Sequence, residues 1–462
     1  MRVPLSVEQA IESLRQIKKG QETTADISRK RAGPAKLLML GYLFYMSVGW
    51  ILLCLPWSHE GEPVSVLDNL FMAVSAVSTT GLTSVDTGTH YTFFGELVIL
   101  LLIQFGGLGY MTMSSFAFLA IQAQLSDTQE KTTRTAFALP ANMSPAFFLR
   151  SVVFFTFATE IVGAASLYPL LAAQNVEEPF WSAVFHSISA FSTAGFSLYS
   201  DSFEGFSNDF AINMVISVLS IFGAMGFIIV ADAARRFIGR STHFGFTSKV
   251  IFRMTAILIS LGTLLIFLAE PTLQALPPAD RLLAAFFQAM SASTTVGFNT
   301  IPIGDISNAV VMVLLILMMI GASPSGTGGG MKTTSFAALV GLARSTLKGR
   351  DSIRFFKRRV TDTQLHLAGT TLVCYLACIS VALFILFLTE TGIAFNAMAF
   401  EAISALGTVG LSMGATSNLS EIGKLTIIAL MIIGRVGVLT FGLAIAVPDE
   451  TREEESDNDL AM

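Results

Sequence analysis

Charge, cysteine and histidine are scarce in this chain of 462 residues, which holds 13% charged residues, 3 Cys and 5 His. Cys54, Cys374 and Cys378 all sit in or beside apolar runs, so neither a disulfide framework nor a four-thiolate metal site is available. Cys374 and Cys378 stand one helical turn apart and read as small apolar filler. The histidines are scattered without metal-ligand spacing, and no nucleophile–base pattern marks an enzyme. The stretch before Leu37 lacks an apolar core followed by a small-residue cleavage site, so no signal peptide is expected. No nucleic-acid partner is expected, and the acidic tail from Asp449 to Met462 reads as solvated.

Apolar residues are abundant: 53% of the chain is hydrophobic, 38 residues are Phe, and the mean hydropathy is +0.66. A bilayer core about 30 Å thick takes about 20 apolar helical residues, and the sequence offers many such runs, which implies a membrane protein. Four copies of Phe-x-x-x-Ser-Ala-x-x-Thr-x-Gly recur, at Phe71 to Gly81, Phe185 to Gly195, Phe287 to Gly297 and Phe400 to Gly410. Each copy lies between two apolar spans, which points to four units around one axis. The preceding spans are 36–57, 146–173, 250–268 and 365–388, and the following ones 93–123, 210–233, 306–342 and 422–447. The expected fold is therefore an all-α polytopic membrane protein of eight transmembrane helices and four short re-entrant pore helices in pseudo-fourfold arrangement.

The expected organisation is a cytoplasmic segment 1–34, repeats 35–123, 146–236, 248–345 and 363–447, and a cytoplasmic tail 448–462. Basic residues such as Arg29, Lys30, Arg31, Arg235, Arg236, Arg344, Arg358 and Arg359 gather between the units, whereas the motif-bearing segments are acidic. The excess of Lys and Arg places the inter-unit segments and both termini in the cytoplasm and all four motifs on the outer face.

A dehydrated cation inside a membrane needs oxygen dipoles in place of water, and non-helical backbone lining a cavity supplies them. Thr adds a hydroxyl, and Gly adopts unusual backbone angles while keeping side chains out of the lumen. The candidate ion-binding stretches are Ser78, Thr79, Thr80 and Gly81; Ser192, Thr193, Ala194 and Gly195; Thr294, Thr295, Val296 and Gly297; and Gly407, Thr408, Val409 and Gly410. The Ser-Ala pair before each loop reads as close packing behind it. Asp86, Asp201 and Asp305 follow the glycines and read equally well as a cation-gathering field and as solvated carboxylates. His186, Gln288 and Glu401 share one variable slot after the motif Phe and read as local packing and hydrogen bonding.

One span is interrupted by Gly321, Ala322, Ser323, Pro324, Ser325, Gly326, Thr327, Gly328, Gly329 and Gly330, followed by Met331 and Lys332. Met331 stands where a phosphate-binding loop requires Gly, which argues against nucleotide binding. A simple kink and a loop beside a water-filled cavity both remain as readings. Gly106 to Gly109, Gly223 to Gly226 and Gly434 to Gly437 stand at corresponding points of the other spans and look like equivalent hinges. Arg435 lies in mid-span, where a guanidinium faces the bundle interior as a pore charge or as the partner of a carboxylate.

The Thr-x-Gly loops at Thr79, Thr193, Thr295 and Thr408 resemble the degenerate selectivity filters of the Trk/Ktr/HKT superfamily of potassium transporters, over nearly the whole chain. The single span before the first filter is similar to the bacterial Ktr membrane subunits, the KtrB branch. The resemblance implies K+ as the bound ion, since Gly81 groups the chain with the potassium-selective members. Sodium, as translocated, coupling or activating ion, is the alternative. It also implies an intramembrane gate at 321–330 with Lys332 and Arg435. The implied assembly is a homodimer in the bacterial inner membrane, on a cytosolic KtrA-like RCK ring that carries the nucleotide site. No nucleotide is expected on this chain.

Overall fold

The computed structural model describes residues 24–109, 112, 144–239, 243–349, 354–355 and 358–445. Most of the expected N-terminal segment, the end of the first post-filter span and the acidic tail lie outside the described residues. In chain order the helices are α1 (Thr24–Leu53), α2 (Val66–Ser78), α3 (Thr87–His90), α4 (Phe93–Leu108), α5 (Pro145–Ala173), α6 (Pro179–Phe191), α7 (Phe210–Met225) and α8 (Phe227–Phe237). They continue with α9 (Phe246–Ala269), α10 (Pro278–Thr294), α11 (Asn308–Ile320), α12 (Thr333–Leu347), α13 (Asp362–Thr389), α14 (Phe395–Gly407), α15 (Glu421–Val436) and α16 (Val438–Ile445). One antiparallel pair, Arg354–Phe355 with Arg358–Arg359, departs from the all-helical expectation.

Three helices, α5, α9 and α13, are long and apolar enough to cross a membrane, and two bent pairs, α7–α8 and α15–α16, reach that length together. Sequence cues at their starts are legible. Pro145 occupies the first turn of α5, where its missing N–H costs nothing. At α13 the Thr361 hydroxyl and the Gln364 side chain form a reciprocal capping box. Large apolar side chains such as Phe154, Ile161, Phe384 and Leu388 point outward and stay exposed, as a lipid-facing surface requires. The chain is a multi-pass membrane protein of helical fold.

The spans that follow the motifs break at the glycine positions read as hinges in the sequence, and the bends approach right angles. α7 turns by 90° into α8 at Gly226, and α15 turns by 96° into α16 at Gly437. α4 ends at Leu108, and α11 is parted from α12 by the residues from Gly321 to Lys332. Gly109, Gly226, Gly321 and Gly437 mark these points with φ of 78°, 87°, 67° and 89°. That left-handed region favours glycine, so each break falls where the backbone turns most cheaply.

The motif helices α2, α6, α10 and α14 have 13, 13, 17 and 13 residues. At about 1.5 Å per residue even the longest falls short of the hydrocarbon thickness. Each packs against the post-filter helix of the unit before it: α4 on α6, α7 on α10, α11 on α14 and α15 on α2. The last contact joins the end of the chain to its beginning and closes the ring.

Polar contacts at the outer rim fasten every junction. Trp181 Nε1 donates to Glu96 at 2.6 Å, Asn299 Nδ2 to Glu204 at 2.7 Å, and Asn396 Nδ2 to Asn308 at 3.2 Å. The closing junction carries an ion pair, Lys424 Nζ to Asp68 Oδ1 at 2.6 Å, with both side chains about 15% exposed. Removing one partner leaves the other charge half-buried and unpaired. Lys424→Ala is therefore expected to destabilise the protein by about 2 kcal/mol, and Asp68→Asn/Lys424→Ala by less than the sum of the single changes. Thermal unfolding in detergent checks this, and strictly additive effects exclude the coupling.

Candidate functional site: a ring of four Thr-x-Gly loops over a glycine-rich loop

The spacing within the motif is explained by how each short helix ends. The N–H of Thr79 bonds to Ala76 O at 3.1 Å and that of Thr80 to Ser75 O at 2.9 Å. The same pair occurs at Thr193 to Ala190 and Ala194 to Ser189, and at Thr408 to Ala405 and Val409 to Ser404. In the third copy Val296 N bonds Ser291 O at 3.1 Å. This is the Schellman termination, whose turning residue adopts the left-handed conformation and is usually glycine. Here that residue is threonine, with φ of 51°, 49°, 60° and 47° in the four copies. A β-branched residue there costs about 1–2 kcal/mol, so its hydroxyl must serve a purpose a glycine cannot.

The motif serine adds a clasp that the sequence reading had assigned to packing alone. Ser75 Oγ accepts from Gly81 N at 3.1 Å, and Ser404 Oγ from Gly410 N at 3.1 Å. Ser189 Oγ donates to Phe196 O at 2.8 Å and Ser291 Oγ to Phe298 O at 2.6 Å. The identity of this serine in all copies was the visible signal. The slot after the motif Phe fastens the next stretch of chain. His186 Nε2 pairs with Ser197 Oγ at 3.0 Å, and Gln288 Nε2 donates to Thr300 Oγ1 at 3.2 Å. Glu401 accepts from Ser412, Thr416 and the Met413 N–H. Three chemistries hold one kind of loop.

The four Thr-x-Gly glycines meet one another. A side chain on Gly81 would collide with the carbonyl of Ala194, one on Gly195 with that of Val296, one on Gly297 with that of Val409, and one on Gly410 with that of Thr80. In each case the next glycine's Cα lies within 3.2 Å of the added carbon. The four backbones thus pass in cyclic order, too close for any side chain. Ser78, Thr79 and Thr80, Ser192 to Ala194, Thr294 to Gly297 and Gly407 to Val409 are all buried at this ring. Ser78 Oγ pairs with Thr80 Oγ1 at 2.6 Å, and Thr294 Oγ1 donates to Met290 O at 2.7 Å.

The post-filter helices approach the ring through their own glycines. A side chain on Gly106 would strike the Val77 carbonyl, one on Gly223 the Phe191 carbonyl and one on Gly434 the Leu406 carbonyl. These are equivalent positions at the ends of α2, α6 and α14. The first glycine of each pair is therefore a seat for a pore-helix carbonyl, and the second is the bend.

The stretch from Gly321 to Gly330 lies under the ring and is bonded into it. Ser323 N donates to Ala224 O at 3.0 Å and Thr327 N to Gly223 O at 3.1 Å, while Phe227 N donates to Ser325 O at 3.0 Å. Gly321 and Gly330 come together at the neck of the loop, where an added side chain on either would reach the other's Cα at 2.6 Å. Ala322 N bonds to Gly329 O across it. The threonine hydroxyls meet this loop from above. Thr79 Oγ1 donates to Thr327 O at 3.3 Å, Thr193 Oγ1 pairs with Thr327 Oγ1 at 2.9 Å, and Thr295 Oγ1 accepts from Gly329 N at 3.2 Å. Thr408 Oγ1 is buried and has no hydrogen-bond partner among the described residues.

Two cations hold the loop's carbonyls. Lys332 Nζ donates to Gly328 O at 2.6 Å and Gly329 O at 3.3 Å. Arg435 donates to Thr79 Oγ1 at 2.8 Å, and to the carbonyls of Thr327 and Gly106. Its partners are therefore backbone and hydroxyl oxygens, and no carboxylate pairs with it among the described residues. Below the loop opens a cavity of about 940 Å³, whose lining includes Tyr42, Gly328, Lys332, Tyr375 and Arg435.

The outer carboxylates divide. Asp86 Oδ1 accepts from Thr89 N at 3.0 Å and caps the short α3. Near Asp201 and Asp305, burial and those two neighbours push the Glu204 carboxyl above its ordinary value, and its bond from Asn299 opposes the shift.

The model of the TrkH family, described as a cation transport protein, matches residues 45–455. The chain belongs to the TrkH family. Its TrkH relatives include the Ktr system potassium uptake protein B of Vibrio alginolyticus, 35% identical over 430 residues, 92% of this chain and 93% of that protein. The protein of the same name from Bacillus subtilis is 33% identical over 93% of this chain and 97% of its own length. The potassium/sodium uptake protein NtpJ of Enterococcus hirae is 33% identical over 91% and 94%. The crystal structure of the potassium transporter TrkH from Vibrio parahaemolyticus shares the fold, with TM-score 0.71 at 21% identity over 90% of this chain and 85% of that one.

Gly223 tests the seating of the loop. In Gly223→Ala the new methyl meets the Phe191 carbonyl and, at 2.8 Å, the Thr327 hydroxyl. Gly239, at positive φ, has nothing within 4 Å of an added carbon, so Gly239→Ala carries only backbone strain, about 1 kcal/mol. Gly223→Ala is expected to lose most of its monodisperse protein on size-exclusion chromatography while Gly239→Ala keeps it. Equal yields would remove the packing role.

Proposed function

We propose that this chain is the ion-translocating membrane subunit of a potassium uptake system, with eight spans and four re-entrant pore helices surrounding one pathway. The observation that carries the reading is the ring of Gly81, Gly195, Gly297 and Gly410, each seated against the next copy's backbone above a loop bonded to three filter threonines. The names of the Ktr relatives support potassium as the ion and a system of more than one component.

In this reading K+ sheds water at the outer mouth and is held by backbone oxygens of the four Thr-x-Gly loops. No second glycine follows the Thr-x-Gly of any copy, since Leu82, Phe196, Phe298 and Leu411 come next, so the stack of sites is short. The C-terminal ends of the four pore helices direct partial negative charge at the ion. The 321–330 loop blocks the path beneath, and Arg435 and Lys332 hold it there while adding a positive barrier. The subunit works as a homodimer in the bacterial inner membrane with both termini in the cytoplasm. A cytosolic, nucleotide-binding, KtrA-like RCK ring meets the basic segments from Arg235 to Lys249 and from Arg344 to Arg359 and moves the loop. Sodium as translocated or coupling ion is the second reading, and the potassium/sodium name of the Enterococcus hirae relative favours keeping it.

Expression in a potassium-uptake-deficient bacterium at low K+ tests the filter. Wild type is expected to rescue growth, and replacing each of the four filter glycines by Ser is expected to reduce K+ over Na+ discrimination. Rescue with undiminished selectivity in all four variants would defeat the assignment, and rescue dependent on Na+ would move it to the second reading. For the gate, deletion of 321–330 is expected to raise flux. Arg435→Gln is expected to raise it about tenfold with selectivity nearly unchanged, the size of one lost charged hydrogen bond. Unchanged flux in a folded deletion variant would sink the gate.

A further inference from the structure

The four sectors of the ring are not equivalent on their inner side. The residue before the filter threonine carries a hydroxyl in three copies, Ser78, Ser192 and Thr294, and is Gly407 in the fourth. The space beside Gly407 is filled from elsewhere in the chain: a carbon added there would lie 3.5 Å from the phenol oxygen of Tyr375 and 3.0 Å from Met318 O. Tyr375 projects from α13, is 1% exposed, and its hydroxyl has no hydrogen-bond partner. Thr408 Oγ1, on the residue after Gly407, is also buried and unpartnered, whereas Thr79, Thr193 and Thr295 are all bonded to the loop below. Two unmatched oxygens therefore face one sector. A buried hydroxyl without a partner costs roughly 1–3 kcal/mol, so two together at one point of a pathway call for a purpose.

The cavity below the loop supplies the second half of the picture. Its lining includes Gln364, Leu367, Ala368, Thr371 and Tyr375, which recur at helical spacing along one face of α13. They form a stripe from the cytoplasmic end of that helix to the underside of the fourth filter loop. Leu406 and Gly328 to Gly330 line the same cavity, so it reaches the ring on this side.

We propose, on the gate reading given above, that the ion leaves the filter through the fourth sector. Tyr375 there supplies the hydroxyl that Gly407 lacks, and the exit runs down the Gln364–Thr371–Tyr375 face. In the closed arrangement no hydrogen bond ties the loop to the Thr408 hydroxyl, so of the fourth unit's hydrogen bonds to the loop only the one from Arg435 to Thr327 O has to break. As the loop withdraws, the phenol and Thr408 Oγ1 take up part of the oxygen shell of the departing ion. Tyr375 acts at the inner exit and leaves selection to the ring.

Tyr375→Phe removes one oxygen and keeps the ring's volume. The maximal rate of Rb+ uptake in reconstituted vesicles is expected to fall about fivefold, the size of one neutral oxygen contact, with apparent KM and Rb+ over Na+ selectivity unchanged. Tyr375→Phe/Gly407→Ser places a hydroxyl where the other three copies carry theirs and is expected to restore most of the rate. A packing role alone predicts no such rescue. Both variants are also measured with 321–330 deleted. If deletion fails to raise flux, the gate reading fails. If deletion raises flux while Tyr375→Phe matches wild type in both backgrounds, the exit assignment is overturned. A fall in selectivity with Tyr375→Phe would overturn it too, by placing the residue in the ring.

Discussion

Backbone groups at membrane depth have no water to bond with, and the departures from helix around the four Thr-x-Gly loops are organised by that constraint. Four short motif helices end in the interior, and each end uses two N–H groups of the departing chain to cap its last turn. The termination also turns the chain, which brings the following glycine against the next copy. A local rule for ending a helix therefore builds the ring. The cost is a threonine in a conformation suited to glycine, repeated in every copy. In three copies that cost is offset by what the hydroxyl reaches below, where the loop would otherwise leave polar groups unpaired.

Much of this was legible in the sequence because it depends on residue identity at fixed spacing. The four motifs, their shortness and the interruption from Gly321 to Gly330 required only counting, and the structure brings all of these residues together. The bends at Gly226 and Gly437 were legible as hinges from their glycine pairs, but their near-right angles were not, because apolar residues continue across them. A hydrophobic stretch measures affinity for lipid, and a right-angle turn inside it leaves that affinity unchanged. The motif serines were noticed and assigned to close packing, although their hydroxyls clasp the filter backbone. Small size and hydrogen bonding are both properties of serine, and one chain does not distinguish them. Tyr375 was out of reach. It lies on the first span of the fourth unit, outside the short motif, and its place beside Gly407 arises only from how α13 packs.

The glycine pairs of the post-filter helices show how one residue type serves two ends. Gly106, Gly223 and Gly434 stand at ordinary helical positions and exist for contact, since the carbonyl at the end of a pore helix occupies their missing side chain. Gly109, Gly226 and Gly437 lie three residues on and exist for conformation. The first sets how near the helix comes to the filter, and the second sets where it turns away. In the third unit the turn is expanded into a ten-residue loop, and that loop returns to rest on the glycines of the second unit.

The ring also has a seam. Three of its junctions join units that follow one another in the chain, so the backbone limits how far they part. The fourth joins α15 to α2, the last unit to the first, through packing and the pair of Lys424 with Asp68. A tetramer of identical subunits has four such joints of equal strength, and symmetry gives none of them a separate fate. A single chain wound into the same shape has one place where it closes on itself. Arg435, on the last unit, reaches across that place to Thr79 and Gly106 of the first. The guanidinium that holds the inner loop is thus also a stitch across the one joint the polypeptide leaves open.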